Sequence, residues 1–98
     1  MSDNPVTQWL LTDAKQFYQK AMQTLSLDSQ KIQGRHLQAQ TIPNLSNEKK
    51  KVKNELKVYD NAFMQKFKRV PSRSEKEPMR NLYMYYKRLK QAITKKQA

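Results

Sequence analysis

The sequence predicts an all-α fold: a small helical hairpin or bundle preceded by an amphipathic helix. Three observations predict it. Gly occurs once in 98 residues and β-branched residues are few, so good helix formers dominate. Apolar residues recur at spacings of three and four in three separate stretches. Each stretch carries helix-start or helix-stop residues at its ends.

The first segment starts at Asn4-Pro5, where Asn can cap free backbone N–H groups and Pro suits the first helical position. Val6, Leu10, Ala14, Phe17, Ala21 and Leu25 then form one apolar stripe with Trp9 beside it. This predicts a single helix from Pro5 to Leu25, within an amphipathic segment spanning 1–28. Trp9, Leu10 and Phe17 give it more apolar surface than one stripe needs. That surface either packs on the rest of the chain or docks into a partner's groove, which would make these three residues partner-binding.

The pattern is lost over 29–45, which holds the only Gly (Gly34), the only His (His36) and Pro43. The expectation is a flexible linker with at most a weak helical turn.

The second helix is expected to start after Asn44 or Ser46. Its stripe is Val52, Leu56, Tyr59, Phe63 and Phe67, within roughly 80° of arc. Lys50, Lys53, Lys57 and Lys68 share another face with Met64. Val70-Pro71 ends this helix, because the residue before Pro is pushed out of helical geometry. Ser74 and Glu77 have the capping-box spacing, and Pro78 is tolerated in a first turn. The third helix carries Met79, Leu82, Tyr86, Leu89 and Ile93 inward. Lys76, Arg80, Lys87, Arg88 and Lys95 lie opposite, with Tyr83 and Tyr85 on the flanks. Two such helices joined by a short turn should form a helical hairpin over 46–98.

Charge separates the two halves. Twenty Lys and Arg against 8 Asp and Glu give a net charge of +12. Residues 1–45 contribute +1 of it and residues 46–98 contribute +11. Such asymmetry marks a portion that binds anions. The absence of Cys and the single His argue against disulfides, thiolate chemistry and metal cages. His36 has no paired carboxylate at helical spacing, and Glu75 and Glu77 read as first-turn partners of a helix dipole. Apolar runs such as Trp9-Leu10-Leu11 are too short to span a membrane. The expectation is therefore a non-enzymatic protein with no metal, cofactor, membrane or small-molecule substrate.

The partner it fits is nucleic acid, with DNA favoured and forked or single strands included. Lys and Arg release counterions when they neutralise phosphates, and exposed Tyr rings can stack on unpaired bases. The candidate contacts are Lys50, Lys53, Lys57, Lys68, Arg69, Arg73, Lys76, Arg80, Tyr83, Tyr85, Lys87, Arg88, Lys90 and Lys95. Sequence preference should be weak, because the basic face lacks base-reading Asn or Gln. The alternative is a helical scaffold that binds an acidic protein.

Two family resemblances lie between Lys51 and Lys90. Leu56, Tyr59, Phe63, Lys68-Arg69-Val70-Pro71-Ser72-Arg73 and Leu82-Tyr83-Met84-Tyr85-Tyr86-Lys87-Arg88-Leu89-Lys90 resemble the N-terminal homeodomain-like module of Sld-type replication-initiation factors. The RecQ-type helicase of Rothmund–Thomson syndrome begins with a similar module. That resemblance implies a homeodomain-like DNA-binding or replication-complex module in the nucleus. In it Leu56, Tyr59, Phe63, Leu82, Tyr86 and Leu89 would be core, and Lys68, Arg69, Arg73, Lys87 and Lys90 basic surface. The Lys-rich stretch, Phe, Pro, Glu75-Lys76-Glu77-Pro78-Met79 and the Tyr-x-x-Tyr-Lys pattern are also similar to a hairpin in the family-with-sequence-similarity thirteen proteins, relatives of Rho-GTPase-activating proteins. This second resemblance implies helical scaffolding, with a cytoplasmic setting as the alternative to a nuclear one.

Overall fold

A computed structural model describes residues 4–97. Residues 1–3 and 98, at the outer ends of the expected segments 1–28 and 46–98, lie outside the described residues. Four α-helices follow in order: α1 (Pro5–Leu11), α2 (Asp13–Thr24), α3 (Ile42–Phe67) and α4 (Arg80–Gln97). Short 3-10 turns occupy Lys31–Gln33, Arg35–Ala39 and Ser74–Met79. The molecule is all-α among the described residues and elongated, 51 × 24 × 19 Å.

The expected first helix is two helices. Asn4 caps α1 through its side chain, which accepts from the Val6 N–H at 2.9 Å. The break falls at Thr12, whose φ and ψ are −123° and −74°. Its hydroxyl donates to the Gln8 carbonyl at 2.7 Å. A Thr that bonds back one turn bends a helix, and the bend lets α1 and α2 each turn an apolar side inward. Trp9 is only 3% exposed, so packing on the chain is what its surface does. Its ring centroid lies 5.4 Å from Phe17, 5.7 Å from both Tyr59 and Phe63, and 5.8 Å from Phe67. Aromatic rings bury large areas each and gain further from tilted and edge contacts. A chain with 37% hydrophobic residues can close a core this way.

Tyr59 ties three segments together. Its hydroxyl accepts from the Trp9 indole N–H at 3.1 Å and donates to the Glu75 backbone carbonyl at 2.5 Å. Both polar ends of two buried rings are thus satisfied, which removes the cost of burying them.

Residues 29–45 are not a flexible linker. They form two 3-10 turns that bury Ile32 and Leu37, and Leu45 is buried in the first turns of α3. The lone glycine sits between the two turns at φ +81°, and a Cβ there would meet Arg88 and Leu37 side chains at 3.1 and 3.2 Å. Glycine alone adopts that conformation without a steric cost. Helix α3 starts earlier than Asn44: Thr41 is its N-cap, accepting from the Asn44 N–H at 3.3 Å, with Pro43 in the first turn. The helical pattern was hidden because Thr41-Ile42-Pro43 reads as loop until its cap is recognised.

Helices α3 and α4 form the expected hairpin. Val52, Leu56, Tyr59 and Phe63 are buried on α3, and Leu82, Tyr85 and Leu89 on α4, with Met79 just before it. The inward stripe of α4 keeps the expected Met79, Leu82 and Leu89 but takes Tyr85 in place of Tyr86: Tyr85 is 0% exposed, whereas Tyr86 and Ile93 are half-buried. The turn between the helices is also capped differently. Glu75, not Glu77, closes it, accepting from the Ser72 N–H at 2.8 Å. Arg69 grips the same carboxylate with two hydrogen bonds of 2.6 and 2.7 Å.

Candidate nucleic-acid interface

The hairpin has two edges, each marked by a tyrosine. On one, the Tyr83 hydroxyl reaches across to the Asp60 carboxylate at 3.4 Å. On the other, the Tyr85 hydroxyl reaches Glu48 at 3.0 Å and stands 3.4 Å from His36 Nε2. Residues three and four apart share a helix face. Lys49, Lys53 and Lys57 therefore lie in one row with Asp60, and Lys87 and Lys90 lie in one row with Tyr83. The Tyr83–Asp60 contact puts both rows on the same edge.

This edge is uncovered. Lys53, Lys57, Lys87 and Lys90 are exposed. Asp60 is the one carboxylate among the row positions, and it faces the Tyr83 phenol. Burial, then the charge of Asp60, pushes that phenol up to about 12, so it stays a neutral hydrogen-bond donor. Lys90 lies 5.6 Å from the centre of the Tyr86 ring, and Lys76 lies 5.7 Å from that of Tyr83. Like charges one turn apart cost a few tenths of a kcal/mol per pair, and the Lys49-Lys53-Lys57 row has only Asp60, at its end and turned to the Tyr83 phenol, to offset that.

A groove of about 620 Å³ continues the edge past the start of α4. Arg73, Lys76, Glu77, Arg80, Tyr83, Met84 and Lys87 line it. Glu77 is its only acid, 3.6 Å from Arg80.

Several predicted contacts are engaged elsewhere. Tyr85 is core and cannot stack on a base; burial and Glu48 raise its phenol. Arg88 donates to the Ile32 carbonyl at 2.8 Å and holds the first 3-10 turn. Arg69 is occupied by Glu75 and lies 5.1 Å over the Phe63 ring. Lys68 is the left-handed cap of α3, with φ +61°, and is exposed. Lys50 is exposed beside the Lys53–Lys57 row, and Lys95 is exposed near the far end of α4. Trp9 is core and Phe17 packs against it, while Leu10 is half-buried; Trp9 offers a partner nothing. Lys49 was overlooked, although its i, i+4 spacing to Lys53 was there to read. Among the described residues no three His, Cys, Asp or Glu side chains gather as metal ligands, and no helix is long and apolar enough to cross a membrane.

A family model, the FAM13A-like domain, matches residues 34–97. The match takes in the second 3-10 turn, α3, the capped turn and α4, and so reaches further back than the hairpin expected at 46–98. It supports the second of the two resemblances; the likeness to replication factors finds no support. No curated protein and no solved structure matches the chain. With the greater part of its length covered by that match, from Gly34 at the turn beneath Arg88 to the end of α4, the chain belongs to the FAM13A-like domain family.

Proposed function

We propose that this domain is a non-enzymatic module that binds nucleic acid, DNA in the first instance, through its phosphates and with weak sequence preference. The observation that carries the reading is the uncovered Tyr83–Asp60 edge. Its exposed lysines stand in two facing rows with no acid beside them except Asp60. A polyanion laid along the edge would relieve the repulsion within the rows and release counterions. No Asn or Gln stands at the row positions, so the edge holds phosphates without reading bases. Tyr83 is tied to Asp60, so base stacking is left to the partly exposed ring of Tyr86.

The test is a titration of the chain with single-stranded, forked and duplex DNA near physiological salt, read by fluorescence anisotropy. Dissociation constants of roughly 10⁻⁴ to 10⁻⁶ M are expected. Exchanging Lys53, Lys57 and Lys90 together for Gln should flatten the salt dependence of log K by about 2–3 and leave helicity intact. Failure of all three DNA forms to bind more tightly than about 10⁻⁴ M would overturn the reading in favour of an acidic protein surface as the partner.

A further inference from the structure

The groove at the start of α4 differs from the lysine rows in a way that names its ligand more closely. Resting on the strand-binding reading above, we infer that this groove is a site for a phosphomonoester, the phosphorylated end of a nucleic-acid strand. Four cations, Arg73, Lys76, Arg80 and Lys87, converge on it against one carboxylate, Glu77. That excess suits a group carrying close to two negative charges near neutral pH, as a monoester does, better than a singly charged diester. Two of the four are Arg, whose planar fork pairs two donors with two phosphate oxygens. The rows along the edge hold Lys alone.

Neither Arg is consumed within the fold. The Arg80 side chain is 68% exposed and its 3.6 Å contact is with a Glu77 side chain that is itself 60% exposed, a contact worth little in water. Arg73 is exposed. Tyr83 and Met84 form an apolar wall beside the cations, and at about 620 Å³ the groove has room for the sugar that carries the phosphate. The groove also lies where a strand following the edge would stop. Glu77 lines a second cavity on its far side, whose other wall is Leu10, Lys15, Tyr18 and Gln19 of α1 and α2. The helices of the first half thus stand across the end of the path.

One oligonucleotide, prepared unphosphorylated, with a 5′-phosphate and with a 3′-phosphate, tests this with the full chain. One phosphorylated form should bind about tenfold more tightly than the unphosphorylated form, a difference of about 1.4 kcal/mol. The Arg73→Gln plus Arg80→Gln variant should bring that ratio to about one, while its circular dichroism stays that of the parent. Equal binding of all three forms overturns the groove assignment and leaves the edge reading standing. Should no form bind, the edge reading fails, and the groove is then decided by a nucleoside monophosphate against the bare nucleoside. Saturable shifts of the Arg73 and Arg80 Nε–H signals in NMR with the monophosphate alone would keep the site, as one for free phosphomonoesters. No shift, or equal shifts with both, would overturn it.

Discussion

The two edges of the α3–α4 hairpin are both rich in cations, yet they behave as different materials. On the Tyr85 edge the polar groups face inward to partners. Arg88 holds the Ile32 carbonyl, Lys96 donates to the Gln38 carbonyl at 2.9 Å, and Tyr85 meets Glu48 and His36. On the Tyr83 edge the lysines have one carboxylate among them and solvent beyond. The first edge is where residues 4–41 lie against the hairpin; the second is bare. Arg88 and Lys87 are neighbours in sequence and both basic, but one holds the fold together and the other is available to a ligand. A helix turns by roughly 100° per residue, so adjacent cations can fall on opposite edges.

Removing what covers the first edge should have the largest effect. Trp9→Ala empties a site bounded by four aromatic rings and leaves the Tyr59 hydroxyl without its indole donor. A loss of about 3–5 kcal/mol is expected in chemical denaturation followed by circular dichroism. A near-neutral result would show that α1 is an attachment and not core, and would dissolve the comparison between edges.

Next comes Leu37→Ala, which truncates a side chain 3% exposed in the stretch that sequence patterning assigns to a linker. The expected loss is about 2–4 kcal/mol; a true linker would lose less than about 0.5.

The turn at Glu75 should show a smaller, pH-dependent effect. The Arg69 guanidinium, then the Ser72 N–H, hold its carboxyl down at about 2 against an ordinary 4.5. Its contribution is therefore complete above pH 4.5 and is lost as the pH falls from there through about 2. Glu75→Gln should remove that part of the acid dependence and cost about 1 kcal/mol near neutrality, the scale of a helix cap. An unchanged acid profile would mean that the Arg69–Glu75 fork does not hold the turn in solution.

The smallest effect on stability should come from the bare edge. The triple exchange of Lys53, Lys57 and Lys90 for Gln should alter stability by no more than about 0.5 kcal/mol, with relief of like-charge repulsion favouring the variant. A large loss would mean that these lysines have partners within the fold, and the contrast between the edges would go.

Much of the fold was legible because amphipathic helices write their periodicity into the chain. The stripe Val52, Leu56, Tyr59, Phe63 on α3 and the pair Leu82 and Leu89 on α4 lie where spacing puts them. The errors share one cause. Residues 31–39 carry apolar side chains, Ile32 and Leu37, in turns too short to show a repeat. Tyr85 and Tyr86 both fit between Leu82 and Leu89 at spacings of three and four, so local spacing does not choose between them. Ser74 and Glu77 have the capping spacing, but so do Ser72 and Glu75, and only the latter pair has Arg69 within reach. The basic rows could be drawn on a wheel; which of them would be covered could not.

By itself, then, the sequence determined the helical class, the hairpin, its apolar stripes and the concentration of positive charge after residue 45, since all of these depend on residues close together in the chain. Only the tertiary structure decided that Trp9 is core, that residues 29–45 belong to the body of the fold, and that one basic edge is covered while the other is bare. Those outcomes rest on contacts between residues some 50 positions apart, such as Trp9 with Tyr59 and Ile32 with Arg88, and local spacing carries no record of them.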